Sequence, residues 1–346
     1  MIILQYNERL RKLMKNLDPI NYISPAIHAS DVDKIFKSSW QLLCPSSRLT
    51  NRGDYIATEI AGNKVFAVMT KDGIRAFRNV CRHRGARLLP EGTGRCQTIR
   101  CPYHQWVWQE DGSLLNVPWW GDDPDFKKSD WSLDQVELCE WRGFLFISLS
   151  PEISLEDQLG ELEAELKNEP IEQYKWVQEE KLVFDANWKI YTDNFVEGYH
   201  IPGIHPKFHS AIEFEKFETV ALNGMVRMTA PPREGLFYRG KWLWMWPNWT
   251  LSLFDGGMNT SRINPINHHQ TELIYNFYFE DISEKNASKR AKVIADNLEV
   301  IREDFEVCNA VQKNYESGGY RSGPLSPRHE AGVAYFQQKL LEAGGK

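Results

Sequence analysis

The 346-residue chain is poor in cysteine: six is too few for a disulfide scaffold of this size. It also lacks a basic excess. Lys and Arg number 41 against 47 Asp and Glu, a formal net charge of −6, which argues against a dedicated nucleic-acid binder. No apolar run reaches the ~18 residues needed to span a bilayer. The opening Met1-Ile2-Ile3-Leu4 precedes its basic residues, Arg9, Arg11 and Lys12, the reverse of a secretory signal. Repeats and low-complexity segments are absent. These absences point to the cytoplasm, with no membrane or nucleic-acid partner. Thiols there stay reduced, so clustered cysteines invite a metal reading. What is present is ordinary globular material, 42% hydrophobic and rich in tryptophan. At ~150 residues per domain the length suggests two.

The pattern along the chain is α+β. Residues 1–38 read as a helical segment, with Leu10, Leu13, Met14 and Leu17 at helical spacing. Residues 39–150 read as an all-β domain. Val65–Met69 and Ile74–Val80 flank Lys71-Asp72-Gly73, Trp106–Trp108 and Leu114-Leu115 flank a second turn, and Phe144–Leu149 closes the region. Residues 151–346 read as a second domain. It opens with an acidic connecting helix over 154–168 and a helix from Trp188 to about Tyr199. Strands follow at Val226–Met228, Trp242–Trp246, Leu251–Phe254 and Leu273–Phe279. A long helix over 286–316 carries the stripe Ile294, Leu298, Ile301, Phe305, Cys308 and Val311, and a short one covers 329–342.

Two short pairs stand out in the first domain: Cys81-x-His83 and Cys101-x-x-His104, with seventeen residues between His83 and Cys101. Thiolate and imidazole suit zinc or an iron–sulfur centre. Common zinc pairs join like with like, whereas each pair here mixes one Cys with one His. That suits a two-iron cluster in which one iron takes both Cys and the other both His. Cys44, Cys96, Cys139 and Cys308 read as ordinary core or loop thiols.

The second constellation is Asn194, Glu197, His200 and His205. The first three recur at i, i+3 and i+6 and would share a helix face. Pro202 is expected to end that helix and Gly203 to turn the chain, folding His205 back toward His200. Two histidines and one carboxylate form a facial set suited to non-haem iron(II). Asp304 is the candidate carboxylate, because it lies within the apolar stripe of the long helix and a buried carboxylate needs a partner. Glu303 beside it is expected to point elsewhere, where it can be solvated. His28, His209, His268, His269 and His329 lack such context and read as structural or surface residues.

The segments Cys81-Arg82-His83-Arg84-Gly85 and Cys101-Pro102-Tyr103-His104 resemble the cluster domain of the Rieske non-haem iron oxygenases. Asn187-Trp188-Lys189, Asp193-Asn194, Glu197-x-x-His200-x₄-His205 and Glu303-Asp304 resemble the mononuclear-iron half of the same family. The resemblance implies an N-terminal all-β Rieske domain and a C-terminal catalytic domain with a curved antiparallel sheet and helices, of the helix-grip kind. It implies a [2Fe–2S] cluster on Cys81, His83, Cys101 and His104, a mononuclear Fe(II) on His200, His205 and Asp304, and O₂ as co-substrate. Glu197 would bridge His200 to His104 of the next chain in a head-to-tail homotrimer. Many members have Asp there; Glu resembles the quaternary-ammonium oxygenases. Gly92-Thr93-Gly94 starts but does not complete a dinucleotide fingerprint. NAD(P)H electrons would therefore arrive through a separate flavin and iron–sulfur reductase.

For the small-molecule substrate, the alternating Trp242, Trp244 and Trp246 are either a packed sheet face or a pocket wall that holds a cation by cation–π attraction. The expectation is N-demethylation or monooxygenation of a betaine- or carnitine-like compound. Ring hydroxylation or O-demethylation of an arene is the alternative, and a Rieske electron carrier the non-enzymatic one.

Overall fold

Strand-rich sequence in the first half and a second set of strands in the second half close into separate antiparallel sheets. The computed structural model describes residues 15–233 and 238–344. Residues 36–152 form one unit, and residues 15–35 with 153–344 another. Leu10, Leu13 and Met14 lie outside the described residues.

In the first unit a seven-stranded sheet runs in the order Gln41–Pro45, Phe144–Ser148, Gln135–Trp141, Gly73–Arg78, Asn63–Thr70, Asp54–Ile60, Gly92–Arg95. Thr70 pairs with Gly73 across the expected Lys71-Asp72 turn, and Gly73 takes φ +111°, open to a residue without Cβ. Phe144–Ser148 is buried throughout. A three-stranded sheet of Ile99–Arg100, Val107–Trp108 and Leu114–Asn116 carries the second expected hairpin.

The second unit is built on a seven-stranded sheet: Lys175–Phe184, Gln270–Phe279, Gly257–Asn267, Trp249–Phe254, Tyr238–Met245, Met225–Thr229, Glu218–Leu222. The long helix Ala287–Glu316 buries Ile294, Leu298, Ile301, Phe305 and Cys308, the expected stripe apart from the half-buried Val311. It ends before Gly318, which has φ +73°. The last helix is Ala331–Gly344.

Two expectations need correction. The acidic segment is not one helix but two short ones, Leu155–Leu159 and Leu162–Glu165. The chain breaks at Gly160, where a Cβ would sit 2.3 Å from the Asn223 carbonyl oxygen. The strands Glu218–Leu222 and Gly257–Asn267 were not expected. The second is buried along Gly257–Pro265 with Asn259, Thr260, Ser261 and Arg262 inside, so it shows no alternation to read. No helix among the described residues is long and apolar enough to cross a membrane.

Candidate active site

Cys81 and Cys101 open two loops that close alike. The Cys81 N–H donates to the Ala86 carbonyl at 2.8 Å, and the Cys101 N–H to the Trp106 carbonyl at 2.9 Å. Each loop spends one left-handed residue, Gly85 at φ +73° and Gln105 at φ +60°. Buried Asn79 clamps the first loop: its Oδ1 accepts from the N–H of Leu88 (3.1 Å) and Leu89 (2.9 Å).

The two thiols lie within hydrogen-bond reach of each other. The N–H groups of His83 and Arg84 point at Cys81, and that of Tyr103 at the Cys101 sulfur, 3.4 Å away. Burial pushes the Cys81 thiol up, and the N–H donors oppose this. The His83 and His104 rings stand edge to face, centroids 4.6 Å apart, and His83 stacks on Trp106 at 4.8 Å. Both histidine Nδ1 atoms are buried without a hydrogen-bond partner. Two sulfurs together, two orphaned ring nitrogens together and N–H donors aimed at sulfur fit a [2Fe–2S] cluster with two Cys on one iron and two His on the other.

In the second unit, the helix Trp188–Phe195 is capped by Asn187, whose Oδ1 accepts the Lys189 N–H at 3.0 Å. It ends at Phe195, not at Tyr199. Glu197 and Gly198 are irregular, because a Cβ on Gly198 would lie 2.4 Å from the Phe217 ring and the chain is held against it. Pro202 does not end a helix either. It sits in the first turn of Ile201–Ile204, where its missing N–H costs nothing. Gly203 is helical; the turn falls at His205, the joint between that helix and Pro206–Ala211.

This joint brings His205 back. One ligand atom each from His200, His205 and Asp304 lie within 4.8 Å of one another. Asp304 Oδ1 is 2.9 Å from His205 Nε2 and 3.8 Å from His200 Nε2. Asn194 Nδ2 donates to the same Oδ1 at 2.7 Å. Each histidine turns its other nitrogen to a carboxylate. His200 Nδ1 bonds Glu197, whose Oε2 accepts the N–H of Tyr199 and His200. His205 Nδ1 bonds Glu303 at 2.6 Å. Glu303, expected to point elsewhere and be solvated, is a third exposed but reaches the ring of His205, a contact the sequence reading missed. The fold of the chain after Pro202, invisible to a helical wheel, puts it there.

With both Nδ1–H groups donating outward, two Nε2 lone pairs and a carboxylate converge on one point. Three acceptors facing each other need a cation, and the metal–histidine–carboxylate pattern supplies the outer support one requires. Burial lowers the His205 pKa, but Asp304 and Glu303 outweigh it and the net direction is up, the same demand for positive charge.

The triad lies on a cavity shared with Asn194, Glu197, Phe208, Phe217 and Trp242. The Trp242 ring meets Phe208 edge to face at 5.2 Å and stacks near Phe217 at 6.2 Å. The other tryptophans of the run do not join it. Trp244 is core, against Phe336, and Trp246 lies past the strand end. His209 bonds back to His205 only through its backbone, and its ring lies against Phe214. His329 stacks on Tyr199, and His268 bonds His269.

Residues 39–126 match the Rieske [2Fe–2S] domain family. Residues 171–233 and 215–344 match the ring hydroxylating alpha subunit (catalytic domain). The chain belongs to the Rieske-type ring-hydroxylating oxygenases. The carnitine monooxygenase oxygenase subunit of Escherichia coli K12 is 32% identical across 90% of this chain and 88% of its own. The chloroplastic choline monooxygenase of Atriplex hortensis is 27% identical across 94% and 80%. The quaternary ammonium Rieske monooxygenase CntA, solved with L-carnitine, superposes with a TM-score of 0.86 at 27% identity over 96% of each chain. A further structure of such an enzyme is described with inter-subunit electron transfer. Naphthalene 1,2-dioxygenase from Rhodococcus, 20% identical at a TM-score of 0.79 over 95% of this chain and 94% of its own, shares the fold.

This Rieske-type oxygenase is an oxidoreductase whose family carries a Rieske cluster and a mononuclear iron, with O₂ as co-substrate. Bound, the iron supplies open positions for O₂. Such alpha subunits act on small molecules with a separate reductase.

Proposed function

We propose that the chain is the oxygenase component of a quaternary-ammonium monooxygenase. The observation that carries this is the cavity beside His200, His205 and Asp304: Phe208, Phe217 and Trp242 wall it, and Glu197 and Asp304 add negative charge. Aromatic faces and carboxylates attract an alkylammonium head by cation–π and Coulomb terms. Oxygen inserted into a C–H bond beside such a nitrogen gives a carbinol that loses an aldehyde, which is N-demethylation or N-dealkylation. Insertion at a more distant carbon leaves an alcohol. The carnitine- and choline-oxidising relatives support the same substrate class.

In this reading Cys81, His83, Cys101 and His104 hold the cluster, and His200, His205 and Asp304 hold the iron. Asn194 orients Asp304. Glu197 holds His200 and reaches toward His104 of a neighbouring subunit in a homotrimer. Residues 39–150 are the cluster domain; 151–346, with 1–38 packed on them, are the catalytic domain. A cytoplasmic flavin and iron–sulfur reductase supplies NAD(P)H electrons.

The test needs no reductase. Protein loaded with iron and reduced chemically is mixed with O₂ and one candidate at a time, and products are counted by mass spectrometry after a single turnover. Choline, carnitine or a betaine oxidised at a sizeable fraction of one equivalent supports the proposal. Turnover of arenes with none of these amines overturns it.

A further inference from the structure

A second cavity, of about 180 Å³, lies behind the first. Asn194 and Glu197 line both, so these two side chains are the partition. On the far side the second cavity is lined by Asp193, Glu330 and Tyr315. It has room for several waters and polar groups to hold them. We infer that this cavity is the proton-uptake route of the oxygenase, with Glu330 as entry and Asp193 as internal proton store, delivering past Asn194 and Glu197.

The chemistry demands such a route. Monooxygenation consumes R–H, O₂, two electrons and two protons and yields R–OH and water. The O–O bond breaks, one oxygen enters the C–H bond and the other leaves as water. The electrons come from the reductase, and the protons must cross buried protein.

Asp193 is suited to hold one. Its carboxylate is half-buried, lining the cavity, and accepts from Tyr22 Oη at 2.6 Å and Gln337 Nε2 at 3.1 Å. The groups that face it come from every neighbouring element: Tyr22, Lys189 on its own helix, Cys308 and Tyr315 on the long helix, and Glu330. Burial raises its pKa to about 7; the hydrogen bonds and Lys189 only partly offset this. Glu330 is half-buried and accepts the Ser326 N–H. Its pKa is raised by burial first and by Glu197 second. A carboxyl that binds a proton near neutral pH and a second whose pKa is raised by burial, both lining a cavity with room for several waters, form a relay.

The inference rests on the proposed reaction only in that oxygenation consumes protons. Its first test requires neither substrate nor iron. Infrared difference spectra of iron-depleted protein across pH 5–9 should contain a protonated-carboxyl band that titrates near neutrality and is missing in Asp193→Asn. In single turnovers with any accepted substrate, Asp193→Asn and Glu330→Gln should each slow product formation about tenfold or more and enlarge the solvent isotope effect. They should leave the visible spectrum of the cluster unchanged. Glu330→Gln decides the matter if Asp193→Asn fails to fold. No such band in the wild type, or wild-type rates and isotope effects in Glu330→Gln, would overturn the relay. Absence of oxidised quaternary amines would instead sink the substrate reading and leave the infrared result standing.

Discussion

Replacing Glu303 by Gln tests the arrangement around His205 at a residue that binds no metal itself. The Glu303 carboxylate accepts from His205 Nδ1 at 2.6 Å, which fixes the tautomer and enriches Nε2 in electron density. A hydrogen bond to a charged partner is worth roughly 1.5–3 kcal/mol and a neutral one about 1. Glutamine keeps the acceptor and loses the charge, so the difference is on the order of 1–1.5 kcal/mol. Glu303 is 32% exposed, so solvent screens part of that charge. The expected loss of iron(II) affinity is therefore about tenfold, the low end of the 10–100-fold range for such supporting groups. Glu303→Ala, which leaves the ring free to turn, should lose more. The assay is anaerobic titration of iron(II) into cluster-loaded protein against a competing chelator. Affinities within twofold of wild type for both variants would refute the argument that this carboxylate supports a metal site.

Trp242→Ala should raise KM for a cationic substrate about three- to thirtyfold, the range of cation–π energies, with a smaller effect on a neutral isostere; equal effects on both would remove the cation–π account. Lys189 and Asp31 form a buried pair at 2.6 Å. Lys189→Ala should cost about 3–5 kcal/mol in denaturant unfolding, because it strands a buried carboxylate. The double variant Lys189→Met, Asp31→Leu should recover most of it, and an equal loss in both would deny the pairing. Asp193 binds a proton in the folded state up to about pH 7, against 3.8 ordinarily. The folded chain thus holds more protons than the unfolded between those values, and stability falls as pH rises through that window, by on the order of 4 kcal/mol. The wild-type-minus-Asp193→Asn difference in unfolding free energy should follow that slope, and a flat difference would contradict the assignment.

The parts of the sites carried by local spacing were legible in the sequence. Cys81 and His83 sit on one loop, Cys101 and His104 on another, so the pairing of donor types survives without knowledge of the fold. Asp304 was legible because a carboxylate within an apolar helical stripe is costly without a partner. Glu303 was misread for the complementary reason: helical periodicity describes the helix and is silent about what comes to meet it, here His205 at a joint between two short helices. Asn79 was missed because a buried asparagine clamping a loop has no spacing signature. Trp242 and Trp244 lie on one strand two residues apart, yet one lines the cavity and the other is core, a distinction set by Phe208 and Phe336. The second cavity draws on four distant segments and has no trace in any one of them.

The catalytic unit is discontinuous, with the cluster unit inserted after residue 35. This orders events during synthesis. Tyr22 must wait 171 residues for its partner Asp193, and the Leu17 N–H must wait 320 for Gln337. Residues 36–152, by contrast, hold all their strand partners within one stretch and can fold as soon as they emerge. A ribosome thus releases a finished cluster-binding module while the segment ahead of it is still unpaired. The hydrogen bonds of Gln337 come late in synthesis, so loss of only the final helix would also release Asn16, Leu17 and Tyr22, more than three hundred residues away.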